Sequence, residues 1–259
     1  MGSAVWHSRG LVWELFKRDF LAAYRKSFIG ITWLFVMPAM GIVSWVFLQR
    51  TGILQPGETE VPYTVYVLVG TTMFGLFITL YDAAANTLES GKDLALQVRY
   101  PHEALLFKQA AEQLANFSIG LLMNLLVLAL FRVMPSWKIV LLPLVALPLI
   151  MMATALGLVA SMISVVAVDI SRFLRLGLGL ALWATPVIYS SNVESPVVRT
   201  LIRWNPLSYA VCSCRDIVLK GELYHPIGFW ITCGFSTLML LLSWRLFYVS
   251  EDKVIERLI

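Results

Sequence analysis

Charge is scarce in this sequence. Asp, Glu, Lys and Arg make up 14% of the 259 residues, against 59% hydrophobic residues and a mean hydropathy of +0.77. A soluble domain carries about a quarter of its residues as charges, so a water-soluble globule is excluded. Cysteine is scarcer still, with three residues. Cys212 and Cys214 are two apart and leave a helix on roughly opposite sides, so they do not pair. Neither they nor Cys233 have His or Cys companions at ligand spacing, which leaves no metal site and reads as small buried hydrophobes. His7, His102 and His225 lie in separate segments with no adjacent nucleophile. Gly91-Lys92 lacks the preceding glycine and the following Ser or Thr of a phosphate loop, and no G-x-S-x-G or H-E-x-x-H pattern occurs. No enzyme chemistry is legible.

Long apolar runs are what the chain has. Uncharged windows cover 27–49, 61–81, 113–131, 139–168, 176–193 and 223–244. Each is near or above the roughly 18 residues that a helix needs to cross the hydrocarbon core. None alternates as a barrel strand does. The predicted fold is therefore an all-α membrane protein with six transmembrane helices, an N-terminal amphipathic interfacial helix and a short outer helical hairpin before the last span. Residues 1–27 are assigned to the cytoplasmic interface helix and 28–259 to the transmembrane domain. The spans are predicted at about 28–48, 62–88, 108–131, 139–168, 174–192 and 225–248. The fourth contains Pro143 and Pro148 near its start and reads as one tilted helix beginning at the interface.

With six spans, both termini fall on one side. The segments on that side hold 13 Lys and Arg, and those on the other hold 7. The positive-inside bias places both ends in the cytoplasm of a multi-pass protein. No secretory signal peptide is recognisable at the start. The net charge of +4 reflects topology and anionic lipid headgroups, and gives no reason to invoke nucleic acid.

The segments between spans carry their own signals. Residues 11–26 place Leu11, Leu15, Phe16, Phe20, Ala23 and Tyr24 on one face, with charges mostly off it, as in a helix lying in the interface. Its basic residues Arg18, Arg25 and Lys26 read either as plain anchors or as a collar that binds headgroups. Residues 89–109 bend at Tyr100-Pro101, because a residue before proline avoids the helical region. That elbow is either an ordinary loop or a lever for a cytoplasmic partner. Residues 194–222 hold two apolar pieces too short to cross, split at Asn205-Pro206, which reads as a hairpin dipping into the outer leaflet. At the start of the third span, Gln109, Glu112, Gln113 and Asn116 cluster, with Asn124 deeper. Glu112 is predicted to be solvated or paired with a nearby cation.

One periodicity stands out. Tyr63, Tyr66, Phe74, Phe77 and Tyr81, with Gly70 filling the gap, share a helical face roughly 60° wide. Helix packing accounts for such a stripe. The alternative is an aromatic wall for a sliding glycan, completed by Trp33, Trp183 and Tyr189 and built from weak repeated contacts that permit exit.

No Asp, Glu, Lys or Arg lies in the middle of any span, which argues against proton- or sodium-coupled transport. Energy for uphill movement must then come from a separate subunit. The run RDFLAAYRKSFIGITWLFVMPAM, through Arg18, Asp19, Tyr24, Ser27, Gly30, Trp33 and Pro38, resembles the entry segment of the membrane subunits of type 2 ABC exporters. Their polysaccharide branch exports O-antigen, capsule or teichoic-acid polymers. QVRYPHEALLFKQ is similar to that family's cytoplasmic loop, with Tyr100 for the usual Phe and Phe107 near the usual second proline. WNPLSYAVCSCRDIVLKG is similar to its stretch before the last span, through Asn205, Pro206, Arg215 and Gly221.

The resemblance implies a permease subunit in the bacterial inner membrane, working as a homodimer with two copies of an ABC ATPase subunit. The substrate it implies is a polysaccharide on a polyprenyl-pyrophosphate carrier. No cofactor belongs to this chain, since ATP and magnesium would be bound by the ATPase. Coupling would fall to Arg99, Tyr100, Pro101, His102 and Glu103, and the hairpin would sit at the outer mouth. A membrane-embedded transferase for lipid-linked glycans is the alternative from another class, and a structural membrane subunit is a third.

Overall fold

The computed structural model describes Lys17 and residues 32–88, 102–191 and 195–258. The proposed interface helix, with Arg18, Arg25 and Lys26, and Arg99, Tyr100 and Pro101 of the elbow lie outside the described residues. For His102 and Glu103 only the backbone is described.

The described chain is helical. In order come α1 (Trp33–Arg50), α2 (Tyr63–Ala85), α3 (His102–Leu130), a 3₁₀ turn (Trp137–Leu141), α4 (Leu142–Val145), α5 (Leu147–Val166), α6 (Val168–Ala184), α7 (Pro196–Trp204), α8 (Pro206–Leu219) and α9 (Pro226–Leu258). Four stretches are long and apolar enough to cross a membrane: Tyr63–Ala85, Leu105–Leu130, Trp137–Ser164 and Pro226–Val249. The windows predicted as the first and fifth spans form helices of 18 and 17 residues.

Prolines set several of the boundaries. The predicted single tilted helix over 139–168 starts in steps: a 3₁₀ turn, then α4 with Pro143 in its first turn, then α5 with Pro148 in its first turn. Proline is tolerated there because the first-turn amides have no intrahelical acceptor. The predicted fifth span over 174–192 is displaced. Its helix begins at Val168, so Arg172 and Arg175 lie within α6, and it ends at Ala184. Thr185 is extended (φ −112°, ψ 131°) because Pro186 follows it and disfavours a helical residue before the ring.

α2 is the central helix. Most of its side chains are buried, from Tyr63 to Ala84, and it packs against α1, α3, α5 and α8. α5 runs between α2 and α9. Their approach is close where α5 carries Gly157, since a Cβ there would come within 2.6 Å of the Tyr81 carbonyl oxygen. Small residues that let backbones touch replace the hydrophobic drive that is missing between helices in lipid. α1 and α6 lie on the outside. Met40, Val43 and Phe47 of α1 and Phe173, Leu176 and Leu180 of α6 are exposed.

Candidate functional site

Residues 185–191 are not helical, yet Val187 and Ile188 are fully buried. Buried backbone outside a helix needs partners for its carbonyls, most of all at membrane depth. Side chains supply them. Tyr63 donates its hydroxyl to the Ile188 carbonyl at 3.0 Å. Tyr66 donates to the carbonyls of Tyr189 at 3.0 Å and Pro186 at 3.3 Å. Asn205 donates to the Ala184 carbonyl at 3.2 Å, and Tyr189 donates back to the Trp183 carbonyl at 2.7 Å. Gly70 faces Val187, where a Cβ would lie 3.1 Å from the Val187 carbonyl oxygen.

The stripe on α2 thus has a definite role in this chain. Two of its phenols and its glycine form the seat for the 185–190 strap. Phe74 and Phe77 pack on each other with ring centroids 6.2 Å apart. All five rings are buried. An open wall made by these five is corrected to a packing face: the periodicity identifies one side of a helix, and that side is covered by the strap and by α5 and α8. Of the three rings expected to complete the wall, Trp33 is 38% and Trp183 55% exposed, and Tyr189 is half-buried.

Two short helices meet at Asn205, where the sequence placed the break. Asn205 ends α7 and caps α8, its side chain accepting from the Leu207 amide at 3.0 Å. α8 is buried along most of its length, and here sequence reasoning missed the main feature. Arg215, counted for topology and matched to the family's stretch before the last span, lies in the core beside Asp216. Its Nε donates to Asp216 Oδ1 at 2.8 Å and its Nη1 to the Pro186 carbonyl at 2.8 Å. The guanidinium carbon stands 4.1 Å from the centre of the Tyr66 ring, a cation–π contact. A buried ion pair needs this kind of satisfaction to persist, because desolvation opposes it. The available signal was adjacent opposite charges inside an otherwise uncharged helix, VCSCRDIVL.

Two cavities open beside this frame. One, of about 520 Å³, is lined by Tyr66, Arg215, Asp216, Glu60, Lys220 and Tyr224, among others. Lys220 pairs with Glu60 at 2.8 Å across its rim, and burial raises the pKa of Tyr224. The other, of about 900 Å³, lies between the loop after α1, the end of α6 and α7; Gln55, Glu58, Trp183, Tyr189 and Arg199 line it. The Ser190 amide donates to the Pro56 carbonyl at 2.6 Å and ties its two sides together.

The remaining predicted positions are quieter. Glu112 pairs with Lys108 at 3.0 Å, as its boundary position suggested. Thr87 contacts Gln109 at 2.9 Å and Thr72 contacts Asn124 at 3.2 Å. Cys212 and Cys214 are buried and free, and their sulfurs reach different partners, the Pro186 and Val145 carbonyls. Burial pushes the Cys212 thiol up to about 11, which leaves it inert rather than nucleophilic. Among the described residues no group of three His, Cys, Asp or Glu could hold a metal.

The profile of the ABC-2 type transporter family matches residues 10–219. Among curated relatives, the O-antigen export system permease protein RfbA of Myxococcus xanthus is 26% identical over 250 residues, covering 96% of this chain and 95% of the relative. Two Klebsiella pneumoniae proteins of the same name are 22% and 21% identical over 213 and 224 residues, covering 80% and 84% of each chain.

Proposed function

The chain belongs to the ABC-2 type transporter family and is the membrane permease subunit of such an exporter, without ATPase activity of its own; from that premise we propose that it moves a polyprenyl-pyrophosphate-linked polysaccharide of the O-antigen or capsule kind across the inner membrane of a bacterium. The observation that carries the substrate class is the similarity to O-antigen export permeases along almost the whole chain.

Permeases of this family pair with ATPase subunits. The proposed assembly has two copies of this chain and two ATPases, which bind the ATP and magnesium. In the proposed topology six helices span the membrane with both termini cytoplasmic. The Asp82 end of α2 then faces the cytoplasm, and the strap, α7 and α8 face outward. Residues 99–103 are proposed to receive the ATPase stroke, and Arg18, Arg25 and Lys26 to hold the carrier's diphosphate at the inner face, where Arg forks and Lys charges suit phosphate. Of the rings proposed for glycan contact, Trp33, Trp183 and Tyr189 are the ones with exposed surface.

The test is co-expression of the chain with its ATPase in a strain lacking its own exporter. The expected result is a co-purifying complex and ATP-dependent appearance of polysaccharide at the cell surface. A complex that assembles and hydrolyses ATP while the lipid-linked polymer stays inside overturns the substrate assignment.

A further inference from the structure

A second, smaller core lies at the Asp82 end of the bundle, apart from the main one. Ala84 and Leu88 at the end of α2, Leu106 of α3, Leu158 of α5 and Phe247 of α9 form it, with Met162 and Trp244 at its edge. We propose that this core and the hydrogen bond between Thr87 and Gln109 make the ends of α2, α3, α5 and α9 one rigid joint, which passes the ATPase stroke from the start of α3 into all four helices. Thr87 and Gln109 are its positioning residues. The proposal rests on the ATPase pairing and the topology given above, and it does not depend on which polymer is carried.

The joint begins where α3 begins. α3 starts at His102, so a motion delivered to residue 103 reaches the core at Leu106 within one helical turn. Leu105 and Leu106 are both buried. Lys108 and Glu112 pair at 3.0 Å in largely buried positions, where little water weakens the attraction. The first turns of α3 are thereby fixed in place.

Ties to three neighbours follow. Thr87 is fully buried, and its hydroxyl reaches Gln109 Oε1 at 2.9 Å as well as the Ala83 carbonyl at 3.0 Å. Lipid tails are as apolar as the side chains they touch, so helices in a bilayer are held by such bonds and by close packing. Phe107 of α3 meets Trp244 of α9, with ring centroids 6.3 Å apart and planes at 50°. α5 joins the same layer through Gly157, which lies against Ala84 of α2.

The other helices stand outside. Among the described residues, α1 and α6 contribute nothing to this core. Every residue of α6 from Arg172 to Gly177 is exposed. Ala167 breaks the helix between α5 and α6, at φ −149° and ψ 88°, and Arg175 reaches Asp82 through a pair open to water. The four joined ends move as one body, and the first turns of α6 are what they move against.

The test measures ATP hydrolysis by the complex with its ATPase in lipid nanodiscs, and surface polysaccharide in cells lacking their own exporter. Thr87→Val keeps the shape and removes the hydroxyl, Gln109→Leu removes the amide, and Thr87→Ser keeps a hydroxyl. Ser118→Ala, which removes a hydroxyl bonded within α3 itself, is the control. Thr87→Val and Gln109→Leu are expected to assemble and hydrolyse ATP near the native rate, with export per ATP down about tenfold. Thr87→Ser and Ser118→Ala should export as the native complex does. Hydrolysis and export falling in step, or native export in both Thr87→Val and Gln109→Leu, overturns the positioning role.

A covalent tie gives a readout independent of those substitutions and of the substrate. Phe107→Cys with Trp244→Cys, in a Cys233→Ser background, lets a short bifunctional thiol reagent link α3 to α9, since Cys212 and Cys214 are buried. Ends that move together tolerate the link, so hydrolysis after linking is expected to equal that of the same protein before it. Hydrolysis lost on linking shows that the ends part during the cycle and overturns the rigid joint. A native complex that hydrolyses ATP and exports no polymer overturns the polysaccharide reading alone, and the joint stands if the linked protein hydrolyses as before.

Discussion

α2 has an Arg–Asp pair near each of its ends, and the two could hardly differ more. Toward its start, Arg215 and Asp216 are 2.8 Å apart with side chains only 3% and 7% exposed, and the arginine also holds a strap carbonyl and covers a phenol ring. Near its end, Arg175 and Asp82 are 3.0 Å apart with side chains 66% and 24% exposed. The first pair is part of a network with no cheap alternative, since any loosening strands a charge in the core. The second is in reach of water, which replaces either partner at little cost. One end of the bundle therefore holds a non-helical strap through buried polar side chains, while at the other the ion pair that joins α2 to α6 is open to water and can part and re-form. A transporter driven by an ATPase on one side has use for that asymmetry.

The sharpest way to break the comparison is Arg215→Met. It leaves Asp216 buried without its cation and the Pro186 carbonyl without its strongest donor, so a loss of about 3–5 kcal/mol is expected, seen as a large drop in the thermal unfolding midpoint of the detergent-solubilised protein. An unaltered midpoint would mean that water already serves this site. Next comes Gly157→Ala. A methyl there meets Ala84 and the Tyr81 carbonyl, so α2 and α5 must separate at a cost of about 1–3 kcal/mol. Gly177→Ala in α6, where nothing among the described residues lies within 4 Å, is the matched control with little expected change in the isolated chain.

Tyr66→Phe and Tyr81→Phe make a finer pair. The first removes the hydroxyl that serves two strap carbonyls and is expected to cost about 1–3 kcal/mol. The second removes a buried hydroxyl with no hydrogen-bond partner among the described residues, so the midpoint should hold or rise. Equal losses in both would show that ring packing, rather than the phenol bonds, holds the strap. The smallest effect belongs to Arg175→Ala, at about 0–1 kcal/mol. Raising salt should weaken the native pair and leave the variant's midpoint unmoved.

Much of this arrangement was legible in the sequence, but not its purpose. Periodicity placed Tyr63, Tyr66, Phe74, Phe77 and Tyr81 on one face. A period says which residues share a side and nothing about what that side meets, and it met a segment more than a hundred residues away in sequence. Asn205-Pro206 announced its turn because both residues act locally, one as a cap and one as a starter of α8. The end of α6 was misjudged because hydrophobicity runs on past Pro186, while the backbone obeys the proline. Arg215 stood out only as part of the family-like stretch, and its burial with Asp216 escaped notice because counting charges for topology treats every Lys and Arg alike. Whether an arginine is solvated at a surface or enclosed with a neighbouring carboxylate depends on tertiary packing.

The polar side chains that hold the strap reach mainly its main chain, while Val187 and Ile188 bury their own side chains in the core. The donors from Tyr63, Tyr66, Asn205 and Arg215 reach carbonyl oxygens, and every residue type offers the same oxygen. Tyr189 and Ser190 line the cavity; exchanging them gives up the Tyr189 bond to the Trp183 carbonyl but leaves these main-chain bonds in place. Homologues handling chemically different polymers could diverge there by point mutation, without rebuilding the transporter. A laboratory library confined to those two codons would be expected to yield mostly folded proteins that differ in which glycan they pass.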